Sequence, residues 1–223
     1  MIEAIGLTLR LALLTTTLLL CVSIPLAVWI VFTRSPLRPL VEALTSLPLL
    51  LPPTVLGFYL LIFLGPRTAL GRAWIALAGH TLAFSFSGLV VGSVIYSLPF
   101  TVQPLVAGFS GIDPALLDQA KLLGGSRLRL LTRVLLPLSA PSLNAAAILS
   151  FMHTVGEFGV VLMIGGNIPG ATRTLSILIY DQVQDFAYTQ ANRTALFLVF
   201  ISLAALLLLY SQRRRAFGEV HRG

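Results

Sequence analysis

Five stretches of this chain are apolar over the length a bilayer demands, and that requirement fixes most of what it can fold into. The hydrocarbon core is roughly 30 Å thick and a helix rises about 1.5 Å per residue, so a crossing takes about 20 apolar residues. Leu7–Phe32, Leu40–Leu64, His80–Val106, Leu143–Ile164 and Thr194–Tyr210 meet or approach that length. The composition agrees: 57% of the 223 residues are hydrophobic and 10% are charged, against roughly 25% charge in a soluble domain. Lipid is therefore the solvent for most of the surface. The expectation is an all-α integral membrane protein with about five transmembrane helices, or six if one is missed. One membrane domain is expected over residues 1–223.

The basic residues orient these spans. Linkers 33–39, 107–142 and 211–223 carry Arg34, Arg38, Lys121, Arg127, Arg129, Arg133, Arg213, Arg214, Arg215 and Arg222, ten of the fifteen Lys and Arg. Arg10, Arg67, Arg72, Arg173 and Arg193 fall on the other side. Basic linkers stay in the cytoplasm, which puts the N-terminus outside and the C-terminus inside; a sixth span would reverse only the N-terminus. The same placement accounts for the net charge of +7 without nucleic acid, since the charges lie between spans and form no stripe. The single cysteine, Cys21, excludes an intrachain disulfide. Bulky Leu20 before it is unlike a lipoprotein cleavage site, and the apolar run continues through Phe32, so the segment reads as a retained helix.

Between the spans, Ala69–Gly79 is too short to cross. It is expected to lie at the interface as a short helix, with Trp74 at headgroup level. Pro48, Pro52 and Pro53 cluster near the inner end of the second segment, and Pro99 and Pro104 near that of the third. Broken helices there either kink the spans or line a cavity whose walls move in gating. The segment 165–191 is the main external loop, with a short amphipathic stretch at Leu175–Val183.

The polar, basic island at 107–142 interrupts the hydrocarbon pattern. Asp113-Pro114 is a helix start, a capping side chain followed by a proline whose missing N–H costs nothing there. Leu116, Leu117, Ala120 and Leu123 then recur at helical spacing, Gly124-Gly125 ends the helix, and a second helix is expected over Ser126–Leu135. Leu136-Pro137 is expected to turn the chain back toward the membrane. A short bent amphipathic helix outside the bilayer suits a partner's groove.

This island resembles the signature loop of permease subunits of bacterial ABC importers, E-A-A-x3-G-x9-I-x-L-P. The positions read Asp118-Gln119-Ala120, Gly124, Val134 and Leu136-Pro137, with matching spacing throughout and Asp for Glu, Gln for Ala and Val for Ile. Gly156-Glu157-Phe158-Gly159 and Gly166-Asn-Ile-Pro-Gly-Ala-Thr-Arg-Thr174 are similar to the oxyanion branch of that family, as is Leu51-Pro-Pro-Thr-Val-Leu-Gly57. Pro-Gly-x-Thr-Arg-Thr looks more like the molybdate and tungstate group than the sulfate and thiosulfate group. The resemblance covers essentially the whole chain. It implies a homodimer, two cytoplasmic ATP-binding subunits that carry ATP and Mg, a periplasmic or extracellular oxyanion-binding protein, and no cofactor on this chain. It further implies that Asp113, Leu116, Leu117, Asp118, Gln119, Ala120, Gly124, Arg127, Leu136 and Pro137 couple the chain to the ATP-binding subunits. Pro52, Pro53, Thr54, Glu157 and Arg173 are the candidates for the pathway or outer gate.

The individual residues leave alternatives open. Glu157 lies in or near the fourth span, where a carboxylate must face protein or water, and a carboxylate repels an anionic substrate, so a structural role is favoured. Arg173, flanked by Thr172 and Thr174, can meet an oxyanion, an acidic partner or plain solvent. His80, His153 and His221 lack metal-ligand spacing. Ser87 or Ser93 with His153 are formally available to an intramembrane protease, but no nucleophile motif surrounds them. Lys121, the one lysine, is followed by Leu-Leu-Gly and belongs to no P-loop. A sulfate or thiosulfate permease is the near rival, and a passive channel the distant one.

Overall fold

A computed structural model describes residues 1–122 and 126–220, and all regular structure among them is helical. In chain order the helices are α1 (Ile2–Phe32), α2 (Arg38–Leu50), α3 (Pro53–Phe63), α4 (Ala69–Ala78), α5 (Phe86–Ser110) and α6 (Pro114–Leu122). Then follow α7 (Arg127–Leu130), a π-helical turn (Leu131–Leu135), α8 (Leu136–Leu138), α9 (Ala140–Gly156), α10 (Gly159–Gly165), α11 (Leu175–Gln184) and α12 (Tyr188–Val220).

Three elements are each long and apolar enough to cross alone: α1, α5 and the Tyr188–Ser211 part of α12. Two more crossings are available only as bent pairs, α2 with α3 at 113° and Leu128–Leu138 with α9 at 76°. Five crossings are thus the most the described residues provide, in line with the apolar segments, but two of the five are broken. The first break sits at Leu51-Pro52-Pro53, midway along the bent pair Arg38–Phe63 rather than near the inner end expected for Pro52 and Pro53. A residue before proline is pushed out of the helical region, and Leu51 accordingly has ψ 137° and Pro52 ψ 135°.

The second break corrects the expected turn at Leu136-Pro137. Both residues are helical, and the bend falls at Ser139. A proline inside a helix removes one backbone bond and crowds the preceding turn; here the turn before it widens, and the N–H of Leu136 reaches back to the carbonyl of Leu131. The helix passes through Pro137 and breaks just before Pro141. The expected fourth span, Leu143–Ile164, is likewise interrupted: α9 ends at Gly156, Glu157 is extended, and Ile164 belongs to the separate α10. The third begins at Phe86 rather than His80, with the Ser85 hydroxyl accepting the N–H of Gly88 at 3.2 Å. The short helices expected near 69–79 and 175–183 are α4 and α11, each started by a threonine cap, Thr68 and Thr174.

Helices α1, α5 and α9 pack against one another as the centre of the bundle. The buried face of α1 runs through Ala4, Thr8, Leu11, Thr15, Leu19, Ser23, Ala27 and Ile30 at steps of three or four residues. Small and hydroxyl residues mark that face because lipid competes for leucine as well as a neighbouring helix does, so close approach decides the packing. At the end of the bundle that the basic linkers put inside, Ala27, Leu105, Phe109, Leu135 and Ala146 form one cluster, the inner cluster. Toward the opposite end, Leu11, Leu89, Val90, Val161 and Ile177 form a second, and Leu60, Leu64, Leu82, Val160 and Ile164 a third.

Candidate functional site

Helix α6 stands at the end of the bundle where α5 ends, beside the inner cluster. The Asp113 carboxylate accepts the N–H of Ala115 at 2.9 Å, and Pro114 takes the first helical position. Two faces follow from the helical repeat. Leu117, with Ile112 from the preceding turn, packs on the inner cluster. Leu116 and Leu122 point away from it, 46% and 86% exposed, and Leu128 on α7 is 70% exposed. Gln119 is exposed and Ala120 half-buried. Asp118, also exposed, lines with Pro114 and Leu117 a cavity of about 370 Å³ whose other wall includes Phe32 and Arg38. Gly124 lies outside the described residues, and Arg127 opens α7. Leu136 packs on the same inner cluster as Leu117, while Pro137 is exposed. Leu117 and Leu136 thus tie the two ends of this segment to Phe109, Leu105 and Ala146 in one close-packed cluster.

The two broken spans meet each other. Helix α3 lies on α10, and no other helix contacts it as extensively. A Cβ on Gly159 would stand 2.6 Å from the Cβ of Pro53, and one on Gly57 would stand 2.7 Å from the Cβ of Met163. Only glycine allows these backbones so close. Pro52 and Thr54 are exposed at the start of α3, and Pro53 is half-buried against α10. The proline break and the Gly-Glu-Phe-Gly break thus form one junction in space, although about a hundred residues separate them in the chain.

Glu157 sits at that junction, 4% exposed, and among the described residues neither carboxyl oxygen has a hydrogen bond of good geometry. Ser93 faces it, but its hydroxyl also lacks a hydrogen bond of good geometry. One turn earlier on α9, His153 stacks on Phe100 at 3.9 Å between ring centroids and lies against Tyr96. Its Nδ1 is 2.9 Å from the hydroxyl of Ser97. The serine that meets His153 is therefore neither Ser87 nor Ser93, and Ser97 is 0% exposed, which closes it to a peptide. Its pairing was signalled only by Ser93, Ser97 and Thr101 recurring every four residues in an apolar helix.

Arg173 stands apart from the junction, and its surroundings narrow the sequence alternatives. Its Nε donates to Asn167 Oδ1 at 2.6 Å and lies 3.3 Å from Asp181 Oδ2. Asn167 Nδ2 in turn donates to Asp181 Oδ1 at 2.6 Å. One edge of the guanidinium is thereby committed to bracing the loop against α11. Arg173 is neither a freely solvated side chain nor a cation awaiting an anion with every donor open.

Comparison with known proteins places this geometry. The model of the family described as binding-protein-dependent transport system inner membrane component matches residues 9–216. The molybdenum transport system permease protein ModB of Azotobacter vinelandii is 51% identical over 213 residues, covering 96% of this chain and 94% of that one. The sulfate transport system permease protein CysT of Escherichia coli is 34% identical over 178 residues, 80% of this chain and 63% of that one. Among solved structures, a bacterial alginate ABC transporter in complex with an alginate-bound periplasmic protein superposes with a TM-score of 0.77 at 21% identity, covering 96% of this chain and 78% of that one. At that identity the likeness is one of fold.

Proposed function

Because this chain belongs to the family of binding-protein-dependent transport system inner membrane components, we propose that it is the permease subunit of an ATP-driven importer that carries molybdate, or tungstate, inward by alternating access. It is a multi-pass inner-membrane protein and a transporter component. The observation that carries the substrate is the 51% identity with a molybdenum permease along nearly the full length of both chains. The sulfate permease is more distant and is matched over a smaller share of its length.

The same reading assigns the remaining roles. Two copies of the chain form one pathway at their interface within a single membrane domain. Two cytoplasmic subunits bind ATP and Mg and seat α6 in a groove, against Leu116, Gln119 and Leu122. A periplasmic or extracellular oxyanion-binding protein delivers the anion to the outer mouth. No step changes the anion covalently; the work of ATP hydrolysis is spent on moving helices. The junction of α3 and α10 is the proposed outer gate, with Glu157 in a structural role between helices and Arg173 bracing the loop above it.

Uptake by vesicles containing the permease, its ATPase and its binding protein tests the substrate. Labelled molybdate should be taken up with ATP, excess tungstate should suppress it, and equal sulfate should leave most of it. Suppression by sulfate as strong as by tungstate would transfer the assignment to the sulfate branch. Uptake without the ATPase would indicate a channel.

A further inference from the structure

We propose that the inner half of the anion's route runs along α5 beside α2 and α12, with Gln103 and Ser46 as the neutral hydrogen-bonding groups that line it; the assignment rests on the permease reading above. Gln103 lies seven residues from the inner end of α5, about 10 Å at 1.5 Å per residue, and is exposed. A carboxamide against hydrocarbon loses its hydrogen bonds at considerable cost, and polar groups in spans face protein or water-filled space. The structure supplies that space. Two adjoining cavities of about 350 and 340 Å³ share Gln103 and Ala107 in their walls. One is bounded by Leu49, Phe100 and Leu209, and the other by Glu42, Thr45 and Ser46. At about 30 Å³ per water, each has the volume of about ten waters, enough for a tetrahedral oxyanion with part of its hydration shell.

The charge pattern suits passage rather than storage. Among the described residues, Glu42 is the one charged side chain in either lining, and its carboxylate accepts a hydrogen bond from Arg38 Nε at 2.8 Å. The pair is neutral overall, so among the described side chains a dianion meets neither an uncompensated carboxylate nor a cation that would hold it. Gln103 Nε2 and Ser46 Oγ are 3.5 Å apart, a weak contact that leaves their N–H and O–H groups able to turn toward oxyanion oxygens. Permeation needs binding strong enough to admit the ion and weak enough to release it; amide and hydroxyl donors meet that condition.

The test uses the assembled transporter in vesicles. In a Cys21→Ser background, Gln103→Cys should react with a charged, water-soluble methanethiosulfonate reagent, and molybdate should slow the reaction. Leu203→Cys, at a position 51% exposed on the apolar face of α12, should stay unmodified. Gln103→Leu should lower molybdate uptake about tenfold or more, the scale of losing hydrogen bonds to a charged ligand, with the complex assembled; Gln103→Asn should restore much of it. Labelling of Gln103→Cys no faster than Leu203→Cys, or wild-type uptake by Gln103→Leu, would overturn the route. If Gln103→Leu does not assemble, the labelling comparison decides alone. A wild-type complex that carries sulfate and not molybdate would instead overturn the substrate reading, and the labelling comparison would still decide the route.

Discussion

Replacing Gly159 by alanine tests whether the two broken spans are locked together. The added methyl would stand 2.6 Å from the Pro53 Cβ, well inside ordinary carbon contact of about 3.5–4.0 Å. Pro53 cannot swing away, because that atom belongs to a ring fused to the first residue of α3. Relief requires about 1 Å of movement between α3 and α10, and overpacking of this kind costs typically 1–3 kcal/mol. For a chain of this size each kcal/mol shifts the melting midpoint by about 2–4 °C, so Gly159→Ala should melt about 2–12 °C below wild type. Gly156, three residues away, supplies the control: a Cβ there would meet nothing within 4 Å. Alanine is also the better helix former, by about 1 kcal/mol in a helix interior, so Gly156→Ala should melt at or slightly above the wild-type midpoint. Both variants would be followed by thermal unfolding of the purified protein in one detergent. Equal midpoints for the two would refute the close packing of α3 on α10, and with it the shared junction.

Two further outcomes follow. Glu157→Gln removes no hydrogen bond of good geometry among the described residues and keeps an oxygen to face Ser93, so assembly and uptake should persist with stability within about 1 kcal/mol of wild type; selectively tighter molybdate binding by this variant would show instead that the carboxyl meets the anion. The Arg173–Asp181 pair is 31% and 21% exposed on its side chains, so a double-mutant cycle with alanine should give a coupling energy near the upper end of the 0.2–1 kcal/mol range of exposed pairs, about 1 kcal/mol, shrinking with added salt; zero coupling at low salt would remove the bracing role.

The apolar segments made the three unbroken crossings and the two bent pairs legible as membrane segments, because hydropathy over about 20 residues is a direct statement about solvent. Asp113-Pro114 made the start of α6 legible for a local reason, since a cap needs only its own turn, while α4 was legible from a run too short to cross and α11 from its amphipathic spacing. What escaped was set by partners distant in the chain. The break after Gly156 lies in an apolar run, and nothing local reveals that Gly159 must admit Pro53. The bend at Ser139 was masked by Leu136-Pro137, whose distortion is absorbed upstream in a π turn. Arg173 looked open because Asp181 faces it only once the loop has folded onto α11. Gln103 was readable as a lone amide in an apolar span, yet its meaning depends on the cavities around it.

Coupling through α6 is the claim on which the transport account rests. Its most direct test is ATP-dependent molybdate accumulation in vesicles bearing wild-type or Leu116→Asp permease with the same ATPase and binding protein. Leu116 is 46% exposed and outside the inner cluster, so the variant should reach the membrane at the wild-type level. The account predicts that its ATP-driven accumulation is lost. Accumulation at the wild-type rate would contradict it.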